Sequence, residues 1–417
     1  MTTDSKMVRQ RTVQPGAVEK KTATRAPTEF PDIQTIRNAI PAHCFEGEVL
    51  HSMAYVVRDI AMAGGLGWAA LTYIPQLTGG EWASDSAVRT VAWIIYGYVQ
   101  GLVCTGIWIL AHEAGHGAFS RHRVLNDVVG WVLHSALLVP YFSWKFSHHR
   151  HHRFTGHMDK DMAFVPQTVE RREEKKQPEN WSTIGKLLFS HETAELFEDT
   201  PIVQAAKLIF HQVAGFQTYL LFNVSAGKDS KQREQPGWLR VSHFEPTSAV
   251  FRSGEGIFVA LSDLGLGLTL LALWAASKTT LVGGWETVCL LYVIPYLWVH
   301  HWLVAITYLH HNHPDVHHYD AEGWTFVKGA LATVDRDFGW VGRHLFHGII
   351  DTHVVHHLFP RIPFYKAEEA TEAIKPLLGP LYHQEKRSFM SQLWSTWTTC
   401  KYVENDPHVP GAMRWAN

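Results

Sequence analysis

The 417-residue chain has only four cysteines, Cys44, Cys104, Cys289 and Cys400, far apart and with no C-x-x-C pair. That spacing argues against a disulfide framework and against a thiolate metal site. An excess of one charge is also missing. The formal net charge is -2 with histidine neutral, which implies no global attraction to nucleic acid or to acidic partners. The first fifty residues hold no apolar core of the kind a secretory signal needs; they are polar, with Lys20, Lys21 and Arg25 set among Thr and Pro. The N-terminus is therefore expected to stay in the cytosol, with the first membrane span acting as the insertion signal. No internal repeat is visible beyond a recurrence of histidine clusters.

Apolar residues are plentiful, at 46% of the chain, but unevenly spread. A mean hydropathy of -0.10 would pass for a soluble protein, yet the apolar residues collect into stretches long enough to cross about 30 Å of hydrocarbon. Four such spans are expected, at about 53–77, 91–111, 256–276 and 285–309. Residues 1–35 read as a disordered tail, 36–385 as the main domain and 386–417 as a C-terminal tail. The polar section from Asp159 to Thr200, with its charge run from Glu170 to Lys176, reads as a solvated loop or helix face.

Histidine is the residue the chain has in excess, with 28 in all. Three clusters stand out: His112-Glu-Ala-Gly-His116, His148-His-Arg-His151-His152 and His353-Val-Val-His356-His357. On a helix, residues at i, i+3 and i+4 share one face, so each cluster offers two or three imidazoles to one small volume. Eight histidines exceed the three or four ligands of one zinc ion, and they suit a pair of ions leaning to octahedral coordination. A dinuclear metalloenzyme is the expectation. His112-Glu113-Ala-Gly-His116 also satisfies H-E-x-x-H, in which two histidines hold zinc and the glutamate activates water. A membrane zinc protease is thus the rival reading, but it leaves H-x-x-H-H twice over without a role.

Topology constrains the two ambiguous stretches, 128–144 and 202–224. With the four spans above, all three clusters follow an even number of crossings and face one side; a lone crossing by 202–224 would strand the third cluster. Both stretches are therefore expected to lie in or against the membrane interface, in keeping with their Trp and Tyr. The section between the second and third spans is rich in Lys and Arg, which puts the histidine side in the cytosol. Imidazole suits iron, and a two-iron centre activates dioxygen. A strong oxidant at a membrane surface points to a lipid substrate.

Long strings accompany the clusters: Ala-Ile-Pro-Ala-His-Cys-Phe at 39–45, Ala-His-Glu-Ala-Gly-His-Gly-Ala-Phe-Ser at 111–120 and Leu-Val-Pro-Tyr-Phe-Ser-Trp-Lys at 138–145. Further on come Phe-Asn-Val-Ser at 222–225, Ser-His-Phe-Glu-Pro at 242–246, Gly-Ala-Leu-Ala-Thr-Val-Asp-Arg-Asp at 329–337 and Asp-Thr-His-Val-Val-His-His-Leu-Phe at 351–359. On these the chain, from about Ile33 to Tyr382, resembles the membrane acyl-lipid fatty acid desaturases of the delta-12/omega-3 class, fungal in type. The resemblance implies an all-α polytopic membrane protein with four spans and a cytosolic helical cap. It implies two irons held by His112, His116, His148, His151, His152, His353, His356 and His357. A ninth ligand follows the last span; His311 is the choice, with His310 and His313 as rivals.

The implied reaction uses dioxygen and two electrons to place a cis double bond in an 18-carbon unsaturated acyl chain. That is delta-12 on oleate, delta-15 on linoleate, or both; a hydroxylase or acetylenase is the sibling alternative. The acyl chain would be carried by a phospholipid or by CoA. Electrons would come from NADH through cytochrome b5 reductase and cytochrome b5. With no His-Pro-Gly-Gly haem motif in the chain, the cytochrome must be a separate protein. The endoplasmic reticulum membrane is the implied location, with both termini cytosolic. An apolar channel is expected between cap and spans. Glu113, His347 and Asp351 are candidates for orienting a ligand, Asp263 for an intramembrane functional acid, and His149 for a position outside the ligand set.

Overall fold

The computed structural model describes residues 29–80, 83–175, 200–234 and 238–416. Most of the expected N-terminal tail and the end of the Asp159–Thr200 section lie outside them. The chain enters through α1 (Ile33–Ala39), capped by Asp32, whose carboxylate accepts from the backbone of Gln34 and Thr35. Two long helices follow, α2 (Val49–Tyr73) and α3 (Asp85–His116). α3 is the central post, buried almost throughout its second half. Gly97 and Gly101 let it approach another helix closely, since a Cβ there would sit 2.5 Å from Ile294 and 2.4 Å from Trp298. α3 stops at Gly117, in the left-handed region at φ 76°, and the last carbonyls are capped by the backbone N–H groups of Gly117 and Ala118.

α4 (Arg123–Ala136) and α5 (Tyr141–Phe154) form a pair bent by 109°. α4 exposes an apolar stripe, Val124, Val128 and Val132. The charge run forms the short exposed helix α6 (Val169–Lys175). α7 (Pro201–Phe222) exposes Ile202, Ile209, Phe210 and Val213 on one side and buries Gln204, Gln212, Phe216 and Leu220 on the other, so both of its faces carry apolar residues. α8 (Gly256–Ser277) packs against α4 and α5, where Trp131 donates to the Leu261 carbonyl and Ser262 accepts from Phe142 N. α9 (Trp285–His311) contains a π-turn at Cys289–Val293.

Three described helices are long and apolar enough to cross a membrane: Asp85–His116, Ser253–Ser277 and Trp285–His311. The expected first span, 53–77, lies mostly in α2, which is not among them; it carries Arg58, Asp59 and three glycines. The α4–α5 pair qualifies only if its two bent halves are taken as one span.

The remaining chain folds over the ends of these helices as α10 (Phe326–Ala330), α11 (Gly339–His344), α12 (His353–Leu358) and α13 (Phe364–Leu378). The protein is mostly helical, with a few short strands: β1 (Gln167–Thr168), β2 (His318–Tyr319), β5 (Tyr402–Asn405) and β6 (Ala412–Trp415) form a small sheet in the order β1-β5-β6-β2, and β3 (Asp335–Arg336) pairs with β4 (Gln384–Glu385). The C-terminal tail, 386–416, packs onto the rest of the chain. α14 (Phe389–Thr399) buries Phe389, Gln392, Leu393 and Thr396, an i, i+3, i+4, i+7 face, in the main core beside Trp302.

Candidate metal centre

The ends of four helices converge on one buried volume. α3 delivers His112 and His116, α5 delivers His148, His151 and His152, α9 ends on His310 and His311, and α12 carries His353, His356 and His357. The rings sort into two groups. In the first, His112, His116, His148, His152 and His356 each offer a nitrogen within 4.8 Å of the others; in the second, His151, His311 and His357 do the same. His353 adjoins the second group, its Nε2 3.1 Å from that of His357. The two groups share a wall, for the rings of His152 and His357 stack at 4.1 Å.

The spacing is that of metal ligands. Bonds of about 2.1 Å at right angles place two ligand nitrogens about 3.0 Å apart. The Nε2–Nε2 distances are 3.1 Å for His112–His148, 3.0 Å for His148–His152 and 3.2 Å for His151–His311. Both nitrogens of His116, Nε2 of His356 and Nδ1 of His353 are buried without a hydrogen-bond partner, a costly state that an ion would relieve. Burial, together with neighbouring imidazoles, holds His353, His356 and His357 well below the usual histidine range. They are therefore neutral with lone pairs available, as ligation requires.

Groups outside the rings fix their orientation. His151 Nδ1 donates to Asp161 Oδ1 at 2.7 Å, and Asp161 also accepts from the backbone of Gly156 and Ala163. Thr155 Oγ1 lies 3.1 Å from His357 Nδ1. Glu113 Oε1 is 3.4 Å from His112 Nδ1, while its Oε2 accepts from Phe364 N; the carboxylate holds a ligand and an incoming chain segment. Asp335 Oδ1 accepts from Val354 N at 2.7 Å and Oδ2 from the Tyr382 hydroxyl at 2.5 Å, which pins the start of α12. Burial pushes the Asp335 carboxyl up to about 7 against these bonds.

Other candidates lie elsewhere. His149 is the one exposed histidine of the three clusters. His310 stacks on His353 at 4.1 Å and turns Nδ1 to the Val334 carbonyl; His313 faces Glu385 and Asp315. His347 does not reach a ligand but pairs with Asp59 at 2.8 Å, tying α2 to the segment before α12. Asp351 is 3.8 Å from Arg343 and Asp263 is half-buried on α8, both outside the two groups. Asp161, Thr155 and Asp335 were not foreseen. Asp161 is the third residue of the section expected to be solvated, which begins at Asp159, and nothing in its residue pattern marks it as buried.

An apolar cavity of about 140 Å³ leads to the centre. Trp108, Trp144, Phe216, Tyr219, Leu303 and Val304 form its walls, and His148, His151, His311, His353 and His357 line its inner end. It runs between α7 and α9. The 202–224 stretch is thus a wall of the cavity, a role no periodicity would reveal.

Fold and site together define a helical protein with membrane-type apolar helices that end on a cage of buried imidazoles able to hold metal, beside an apolar cavity. The sequence profile described as Fatty acid desaturase matches residues 88–388, and one described as a domain of unknown function, DUF3474, matches 3–70. The chain is 42% identical over 398 residues to an oleate hydroxylase of Claviceps purpurea, covering 93% of this chain and 80% of that one. It is 41% identical over 378 residues to a delta(12) fatty acid desaturase of Mortierella isabellina, covering 90% and 89%. It is 38% identical over 394 residues to an endoplasmic reticulum omega-6 fatty acid desaturase of Brassica juncea, covering 94% and 93%. The chain belongs to the fatty acid desaturase family.

Proposed function

We propose that this protein is a delta-12 acyl-lipid desaturase that converts oleoyl to linoleoyl chains at the endoplasmic reticulum membrane. The supporting observation is the cavity, apolar along its walls and closed by histidines of both groups. Two irons fit the donor set: one would be held by His112, His116, His148, His152 and His356, the other by His151, His311 and His357 with His353 beside them. Bound there, they would supply the oxidising power of dioxygen. The net change takes two hydrogens from neighbouring methylenes and, with dioxygen, two electrons and two protons, yields a cis double bond and two waters.

The chain's own residues bind and orient. A cavity of about 140 Å³ resembles in size one that holds benzene, so it encloses only the few methylenes around the reacting bond. The rest of an 18-carbon chain requires α7 and α9 to separate or the chain to run along their outer surface. Trp108 and Trp144 keep water from the reacting carbons and fix their distance from the imidazoles. α2 serves as a fourth span, its Asp59 neutralised against His347 and Arg58. The histidine ends face the cytosol, where a separate cytochrome b5 delivers electrons. The zinc-protease reading loses its base, because Glu113 is engaged by Phe364 N and lies against His112.

One second reading has support in the 42% identity to an oleate hydroxylase: insertion of oxygen at the same methylene. Expression in yeast that makes oleate but no linoleate tests both. Linoleate is the expected product. Ricinoleate-type hydroxy acid would move the assignment to the hydroxylase, and neither product from stable, iron-loaded protein would overturn it. Alpha-linolenate, with or without added linoleate, would extend the activity to the omega-3 position.

A further inference from the structure

Apart from the imidazole cage, one other cluster of ligand-type side chains lies among the described residues, at the junction of the Ala42–Phe45 turn and α13. His43 Nε2 is 2.9 Å from Glu369 Oε2 and 3.8 Å from Cys44 Sγ, and the three donors lie within 4.8 Å of one another. A bare surface ion pair would explain His43 and Glu369, which are about half exposed. The pair alone leaves out the third donor, the sulfur of the neighbouring, fully buried Cys44, which lies against the same imidazole nitrogen.

We propose that His43, Cys44 and Glu369 form a second metal site, distinct from the imidazole cage, that takes a zinc-like divalent ion with water as the fourth ligand. Nitrogen, thiolate and carboxylate are the donors zinc accepts, and tetrahedral geometry puts nitrogen and sulfur about 3.6 Å apart and nitrogen and oxygen about 3.4 Å apart. The observed 3.8 and 2.9 Å approach these values with shifts of about half an ångström in exposed side chains.

The backbone that carries the donors is already held. Lys366 Nζ donates to the carbonyls of His43 and Glu46, and Glu48 N donates to the Tyr365 hydroxyl, so the turn is fastened to α13 before any ion arrives. Such preorganisation is what a site of few ligands needs. The Lys366 ammonium opposes a cation, and burial keeps the Cys44 thiol protonated, so binding releases a proton and strengthens as pH rises. Cys44 packs in one cluster with Val354 and Val355 of α12. Ion binding at this site therefore fixes the N-terminal turn against the helix that carries the third histidine cluster.

The test is titration of the purified, iron-loaded full chain with cobalt(II), followed by the near-ultraviolet thiolate-to-cobalt charge-transfer band. No cysteine belongs to the imidazole groups, and in a Cys289→Ser background, which removes the exposed cysteine, the band reports this site whether or not the chain desaturates lipids. One equivalent should saturate it, zinc should bleach it, Cys44→Ser should abolish it, and His43→Ala or Glu369→Gln should weaken binding about tenfold or more. Absence of the band in the parent protein, its survival in Cys44→Ser, or unchanged affinity in both His43→Ala and Glu369→Gln would overturn the proposal.

Discussion

The imidazole of His151 stands between Asp161, 2.7 Å from its Nδ1, and His311, 3.2 Å from its Nε2. The carboxylate fixes the tautomer and turns the other nitrogen's lone pair toward the second histidine group, the arrangement by which outer residues set ligand basicity.

Replacing Asp161 with Ala should therefore lower metal affinity about 10- to 100-fold while the helices stay folded. Iron per chain should fall from two toward one, with linoleate formation lost in parallel. Full iron content with normal turnover would show that the carboxylate only supports the local turn.

The clusters should divide by burial. His116, with both nitrogens buried and unpartnered, should be indispensable, and His116→Ala should abolish product and deplete iron. His149, exposed at a ring distance of 5.3 Å from His116, should tolerate Ala with iron content unchanged. Iron analysis of the two variants side by side checks the assignment; loss of iron in His149→Ala would contradict it.

Filling the cavity should separate substrate access from metal binding. Val304 on α9 faces the cavity beside Gly215 of α7. Val304→Trp should keep both irons yet reduce linoleate about a hundredfold by displacing the acyl chain, at a stability cost of about 1–3 kcal/mol for overpacking. Retained activity would place the acyl chain elsewhere.

Acid should loosen the centre. The folded-state pKa values of His353, His356 and His357 lie below their unfolded values because of burial and mutual repulsion. Their contribution to stability is thus fully present above about pH 6.5 and declines as pH falls below it, where the unfolded chain takes up protons that the folded chain refuses. The melting temperature of metal-free protein should drop between pH 7.5 and 5.5; a flat profile would mean that these imidazoles are less buried than the structure shows.

The shared faces of the histidine clusters were legible from spacing. Histidines at i, i+3 and i+4 can only share a helix face, and the structure puts every one of them into the two groups or, for His353, directly beside one. The folded C-terminal segment was less legible, because Phe389 and Leu393 alone look like any short amphipathic stretch until Trp302 is found opposite them. In α2, Arg58 and Asp59 are visible in the sequence as an interruption, but that Asp59 is buried against His347, 288 residues away, is not.

What the sequence determined by itself is which imidazoles share a helical face: residue type and spacing are local properties, fixed by a few residues in a row. The sorting of eight imidazoles into two groups with His353 beside one, the position of His311 among them, the contact of Asp161 with His151 and the cavity between α7 and α9 were decided only by the tertiary structure. Each depends on which helix end meets which. That outcome is set by close packing around Gly97 and Gly101 and by burial summed over the whole chain, and no short stretch of sequence records it.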